Sequence, residues 1–314
     1  MSLPSTVKKL LVWHQGALGD LLLAGSALAA ICRHYSAARL MGVGQPGCWG
    51  LLAGTLPLAA IWDGGEALWA GLFLDEGPLS PALTKHLAGI DLALVFSPRS
   101  RPGFLARLEQ GGVTQALWIP SFPEGGCDHV VTVQARRLAE LGLAETLAPF
   151  RLRLDQEPDP GLKGPILAVA PGSSNPDKNW PLSHFYEVTR ALAWEAGLKV
   201  VWLAGPAEEQ VLPYLQGLAR AQDHLVWAHE PLERVARLLA RAQVYLGGDS
   251  GLTHLAAAAG TRLVLALFGP TNPQVWAPLG ENVTVLTPQQ EAGPGASLAD
   301  LSPGAVLAEV KKRL

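Results

Sequence analysis

Residues 244–271, VYLGGDSGLTHLAAAAGTRLVLALFGPT, constrain this chain more than any other stretch. An apolar run ends in two glycines, Asp249 and Ser250 follow, an alanine-rich segment comes next, and a second apolar run closes on Gly269, Pro270 and Thr271. That order reads as strand, tight turn, helix, strand. Gly247 and Gly248 let the backbone turn sharply, and Asp249 or Ser250 caps the helix, leaving the amides of Gly251, Leu252 and Thr253 pointing forward. A helix start of this kind attracts phosphate, because its N–H groups and the positive end of its dipole act together. His254, one turn further in, adds a donor or a positive charge near the same mouth. The same residues also fit an ordinary capped helix in an α/β sheet.

The rest of the chain repeats the alternation. Residues 10–13 read as a buried strand, 15–20 as a glycine turn and 21–35 as a helix. The turn spaces its glycines G-x-x-G rather than the G-x-G-x-x-G of a dinucleotide pyrophosphate site, which argues against a nicotinamide cofactor. Asp20 has two available roles. It caps the helix that follows, or it projects from the carboxyl edge of a parallel sheet as a base; the roles conflict, because accepting helix N–H bonds makes a carboxylate a poorer base. Further strands are expected at 40–43, 60–62, 92–96 and 116–119 and a helix at 130–141, giving a parallel sheet covered on both faces. Glycine-rich residues 42–54, with Trp49, read as a flexible loop. Ser97, Arg99, Ser100 and Arg101 follow a strand end and offer two guanidinium groups to an anion, or form a solvated loop.

With 314 residues and 49% hydrophobic side chains the chain can bury two cores. Residues 152–165 are rich in acids, proline and glycine and read as a connector. The expected organisation is a first domain over 1–154, a linker over 155–165 and a second domain over 166–314. In the second half strands are expected at 166–170, 199–204 and near 225–227, and helices at 183–196, 208–221 and 232–240. A last helix at 303–314 is expected to pack back across the joint.

Two more stretches carry candidate chemistry. Residues 171–181, PGSSNPDKNWP, follow a strand and supply Ser173, Ser174 and Lys178, the parts of a phosphate site, with Pro181 suited to a helix's first turn. Trp180 flanks this turn, which a merely polar loop leaves unexplained. Residues 203–209, LAGPAEE, place Glu208 and Glu209 at another strand end, either to accept ribose hydroxyls or to favour a helix start. The formal net charge of −3 gives no general attraction to nucleic acid. Cys32, Cys48 and Cys127 stand far apart with no metal-ligand spacing, as in a reducing compartment. Lys8, Lys9 and the apolar residues after them loosely imitate a secretory signal. His14, Gln15 and Asp20 interrupt it, however, so a cytoplasmic protein without a membrane anchor is expected.

Taken together, Gly16-Ala17-Leu18-Gly19-Asp20, then Gly172-Ser173-Ser174 with Asp177-Lys178-Asn179-Trp180-Pro181, then Asp249-Ser250-Gly251-Leu252-Thr253-His254 with Phe268-Gly269-Pro270-Thr271 resemble glycosyltransferase family 9, the ADP-heptose:lipopolysaccharide heptosyltransferases. The resemblance implies a GT-B fold, an α/β architecture of two Rossmann-like domains with parallel sheets facing across a cleft that closes for reaction. It implies an inverting transfer of heptose from ADP-heptose to a lipopolysaccharide-core acceptor with no metal and no cofactor. On that pattern Asp20 is the base and Ser173, Ser174 and Lys178 bind the diphosphate. Glu209, or else Glu208, holds the ribose, and Asp249, Ser250, Gly251 and His254 complete the donor site. Arg99 and Arg101 are expected on the acceptor side, with peripheral contact at the inner face of the cytoplasmic membrane. The chain departs from the pattern near His14, where many members carry an arginine, at Leu23-Ala24-Gly25, where many carry proline, and in serines where threonines are common. A catalytically inactive nucleotide-sugar binding protein is the alternative.

Overall fold

The apolar runs resolve into two parallel sheets. The first contains β1 (Lys9–His14), β2 (Arg39–Gly44), β3 (Leu58–Asp63), β4 (Leu92–Ser97) and β5 (Gln115–Pro120) in the order β3-β2-β1-β4-β5, with every neighbouring pair parallel. Around it lie α1 (Leu18–His34), α2 (Pro46–Gly50), α3 (Pro81–Leu87), α4 (Pro102–Gln110) and α5 (Val130–Glu140). The second contains β6 (Ile166–Ala170), β7 (Lys199–Ala204), β8 (Leu225–Ala228), β9 (Val244–Gly248), β10 (Leu263–Leu267) and β11 (Val283–Leu286) in the order β11-β10-β9-β6-β7-β8, again all parallel. Its helices are α6 (Leu182–Ala196), α7 (Leu212–Ala221), α8 (Leu232–Arg241), α9 (Gly251–Ala259), α10 (Pro273–Trp276) and α11 (Pro303–Arg313). The structure is a computed structural model and describes residues 2–123, 125, 127–155, 162–288, 293 and 295–314.

Central strands are buried along their whole length, as sheets covered on both faces require. Every residue of β6, β9 and β10 is buried. In the first core Trp13 meets Trp69 and Phe104 edge-on at centroid separations of 5.3 and 5.0 Å, and the Trp69 indole donates to the Asp63 carbonyl at 2.8 Å. In the second, Phe185 packs between Trp180 and Trp202. Each large side chain so enclosed contributes about 1.5–3 kcal/mol relative to exposure.

The chain divides into Met1–Phe150 and Arg151–Leu314. The Phe150 ring packs so tightly on α1 that a Cβ added to Gly25 would lie 2.4 Å from it. Beyond that point Arg151 donates to the Ala257 carbonyl and to Asn282 Oδ1, and the Leu152 amide to the Ala258 carbonyl. Of the expected linker at 155–165, residues 156–161 lie outside the described residues. The apolar face of α11 is taken up within its own unit, where Val306 and Val310 enter the core and Lys311 pairs with Glu195 of α6 at 2.6 Å.

Residues 42–54 correct the expectation of a flexible loop. They finish β2 and enter the short helix α2, and Trp49 is fully buried with its ring against Gly42, where a Cβ would stand 2.5 Å away. Glycine serves close packing here rather than mobility.

Strand order reverses in each sheet, at β1/β4 in the first and β6/β9 in the second. A crevice opens beyond the carboxyl ends of the strands at such a switch point, and ligands of open α/β sheets bind there. Both groups of candidate residues fall at these two places.

Candidate active site

In the second unit the turns after β6 and β9 meet. Asn175 Oδ1 accepts the Asp177 amide at 3.1 Å and starts a short 3-10 turn ending at Lys178. The backbones abut: a Cβ on Gly248 would lie 2.9 Å from the Lys178 carbonyl oxygen. Lys178 Nζ reaches Asp249 Oδ2 at 2.7 Å, with side-chain exposures of 29% and 10%. At that separation the attraction is about 6 kcal/mol at an effective dielectric of 20, before the cost of desolvation. Lys178, Asp249 and the start of α9 at Ser250 and Gly251 are therefore one locus.

A hydrogen-bonded chain fixes the α9 corner from below. Thr253 Oγ1 donates to the Gly248 carbonyl, so the Tyr245 hydroxyl, 3.0 Å away, donates to Thr253. Burial pushes the Tyr245 phenol well above its ordinary range and keeps it neutral. Ser250 stands at the N-cap without a side-chain cap bond, and its carbonyl accepts the Thr253 amide at 3.1 Å. The amides that remain at the front are those of Gly251 and Leu252. His254 is buried on the first turn, 6% exposed.

Trp180, which flanks the turn, belongs to the core: it is 1% exposed and its indole donates to the Leu301 carbonyl at 2.9 Å. Ser173 is buried, and its hydroxyl is taken up inside the loop, 2.6 Å from the Asn175 carbonyl and 3.0 Å from Asn179 Oδ1; Ser174 is the exposed hydroxyl of the pair. Of the two glutamates, Glu209 points outward, paired with His229 at 3.0 Å, a residue in the left-handed region at φ 55°. Glu208 goes inward. It is 3% exposed, accepts the Gly205 amide at 2.7 Å, and lies under Gly172, where a Cβ would stand 2.4 Å from its Oε1. Burial pushes its carboxyl up, while backbone N–H groups of Gly205 and Gly172 pull it back down.

In the first unit, the carboxyl ends of β1, β4 and β5 open onto a cavity of about 240 Å³ whose lining includes His14, Asp20, Ser97, Arg101 and Ser121. Its walls are aromatic, with Trp13, Phe73, Phe96, Phe104 and Phe122. Asp20 Oδ2 accepts the Ala17 amide at 3.1 Å, capping α1, and Asp20 is among the residues that line the cavity. Arg101, just before α4, lines the same cavity; Arg99 is exposed and outside the lining, its carbonyl accepting the Ser97 hydroxyl at 2.7 Å. His14, the last residue of β1, is buried at the switch point and lines the same cavity. Burial lowers its pKa to about 4. Among the described residues no three His, Cys, Asp or Glu side chains gather as a metal-binding group, and no helix is long and apolar enough to cross a membrane.

The model of glycosyltransferase family 9 (heptosyltransferase) matches residues 135–302, more than half of the chain. The chain belongs to glycosyltransferase family 9. Among curated proteins it is similar to lipopolysaccharide heptosyltransferase 1 of Escherichia coli K12, 35% identical over 133 residues, 42% of this chain and 39% of that protein. It is also similar to lipopolysaccharide heptosyltransferase 2 of Salmonella typhimurium, 31% identical over 166 residues, 48% of this chain and 47% of that protein. The chain thus spans less than half the length of these two family 9 relatives. Among solved structures, a family 9 glycosyl transferase from Veillonella parvula has a TM-score of 0.77 at 16% identity, covering 99% of this chain and 98% of that one. E. coli heptosyltransferase WaaC with ADP has a TM-score of 0.74 at 18% identity, covering 98% and 100%. These likenesses bear on the fold alone, and the fold class is the GT-B type expected of family 9, built from two parallel-sheet α/β units.

Proposed function

We propose that this chain is an inverting, metal-independent glycosyltransferase that moves heptose from ADP-heptose to a lipopolysaccharide-core acceptor. The observation that carries the reading is the Lys178–Asp249 pair at the β6/β9 switch point, beside the start of α9. It gives the second unit a cation and helix-start amides suited to a diphosphate. The relatives are heptosyltransferases, which supplies the sugar, and the ADP in the WaaC structure supplies the nucleotide.

In this reading an acceptor hydroxyl attacks the anomeric carbon. The new C–O bond forms as the bond to the diphosphate breaks, the hydroxyl proton passes to the Asp20 carboxylate, and ADP leaves with the electron pair. General base catalysis of this kind contributes about 10²–10⁴ in rate. Lys178, Ser174 and the Gly251 and Leu252 amides stabilise the charge that grows on the leaving phosphate. Glu208, with Gly172 and Gly205, shapes the ribose and phosphate side, and His254, Asp249 and Ser250 surround the sugar. The aromatic cavity of the first unit takes the acceptor, with Arg101 meeting an anionic group and Arg99 a phospholipid surface at the inner face of the cytoplasmic membrane.

One observation favours a second reading. A base that already accepts an N–H bond is weakened, and the Ala17 amide occupies Asp20 Oδ2, as in a nucleotide-sugar binding protein without catalysis. Transfer of heptose from ADP-heptose to deacylated lipopolysaccharide core, with ADP binding by calorimetry, separates the two. Asp20→Ala should abolish transfer and keep ADP affinity, while Lys178→Ala should lower both. Equal loss of ADP binding in the two variants overturns the assignment, and wild-type transfer no faster than in Asp20→Ala leaves the binding protein.

A further inference from the structure

His14 is the last residue of β1, opposite Phe96 of β4 in register, and its ring lies 5.8 Å from the Phe96 ring. The side chain is 2% exposed, and neither Nδ1 nor Nε2 has a hydrogen-bond partner of proper geometry. It nevertheless borders the cavity of the first unit. A buried polar atom left unpaired costs about 1–3 kcal/mol, a cost that leucine or phenylalanine at this wall would avoid.

Gly16 explains how the ring sits so close to Asp20. A Cβ there would stand 2.8 Å from His14 Cε1 and 2.9 Å from Asp20 Oδ2, so imidazole and carboxylate converge on one spot that only glycine leaves open. At about 240 Å³ the cavity has room for a compact polar ligand. Its aromatic walls suit the C–H faces of a sugar ring.

We propose that His14 is a hydrogen-bonding ligand for an uncharged hydroxyl of the acceptor sugar, next to the hydroxyl that Asp20 deprotonates. The inference rests on the acceptor-site reading of this cavity and goes beyond it by naming the residue and the chemistry it selects. A neutral imidazole presents one donor and one acceptor, the complement of a hydroxyl group. An anion would meet that acceptor nitrogen unfavourably and belongs instead at Arg101, the cation among the lining residues. The site thereby selects a sugar with a free hydroxyl beside the reacting one, and a deoxy sugar leaves the imidazole unpaired again.

The test uses the full chain labelled with ¹⁵N-histidine, titrated with deacylated lipopolysaccharide core. One His14 ring nitrogen should shift on saturation while the ring stays neutral. In transfer assays His14→Leu should raise the acceptor KM about tenfold, change kcat less than threefold and leave ADP affinity unchanged. His14→Gln, which keeps a donor and an acceptor, should recover at least half of the lost kcat/KM. A His14 signal that saturating acceptor does not move, or a His14→Leu enzyme with wild-type acceptor KM, overturns the proposal. Should the leucine variant fail to fold, the wild-type titration and the glutamine variant still decide. Failure of ADP binding in the wild type would instead sink the glycosyltransferase reading, and the titration reports on His14 independently of it.

Discussion

Replacing His14 with leucine should alter how the stability of the first unit depends on pH. Burial lowers the imidazole pKa from 6.5 to about 4, each tenfold change in proton affinity being worth about 1.4 kcal/mol. Burial is the largest cause, and backbone groups of His14 and Asp20 oppose it. For a base whose folded pKa is depressed, the unfolded chain takes the proton first. The stabilising contribution is complete above pH 6.5, declines as pH falls, and is lost by about pH 4, an amount of about 3 kcal/mol. Asp20 and Arg101, the charged groups at the same cavity, are common to both proteins, so the difference between wild type and variant isolates His14. Hydrogen exchange of peptides from β1 and α1 against urea, corrected for intrinsic rates, reads this unit separately from His224 in the other, whose pKa burial also lowers. At pH 7 the leucine variant should already be more stable by about 2–6 kcal/mol, because two unpaired nitrogens at about 1–3 kcal/mol each are gone. Its advantage should grow by about 3 kcal/mol at pH 4. An advantage that stays constant between the two pH values refutes the claim that burial holds this ring neutral.

Gly172→Ala would place a Cβ 2.4 Å from Oε1 of the buried Glu208 carboxylate, whose other oxygen is held by the Gly205 amide. ADP affinity by calorimetry should fall at least tenfold while far-UV circular dichroism is unchanged, and unaltered affinity would remove this loop from the site. Asp20→Asn keeps an oxygen for the Ala17 amide but not a base. Transfer should drop by about 10²–10⁴, with the midpoint of unfolding shifted less than in Asp20→Ala, whose lost cap costs about 0.5–2 kcal/mol. Trp180→Phe loses the bond to the Leu301 carbonyl and leaves a void in the second core. It should destabilise that unit by about 1–3 kcal/mol in urea unfolding; a functional role at the ligand would instead show as lost ADP binding at full stability.

Much of the fold was legible because its strands are short, wholly apolar and separated by helices, as in β6, β9 and β10. β11 was missed for a physical reason: it is a four-residue edge strand, half-buried throughout, with a threonine inside it. The two halves of the locus at Lys178 and Asp249 were visible as glycine turns. Their contact was not, since 71 residues separate them and only the strand order joins β6 to β9. Burial was the harder quantity to read. Ser173 and Ser174 are adjacent hydroxyls, as Glu208 and Glu209 are adjacent carboxylates, and composition does not distinguish the one turned inward from the one left outside. A merely polar loop left Trp180 unexplained because its partner, Leu301, lies 121 residues away.

The carboxylate of Glu208 lashes the turn after β6 to the turn after β7, one at Gly172 and the other at Gly205. Two loops that share a buried knot cannot wander separately. If the proposed donor site is right, a nucleotide arriving there would meet a cradle already in shape, and little of its binding energy would go into stilling the backbone. Selectivity among nucleotides would then follow from rigid fit rather than from loops that mould themselves to each guest.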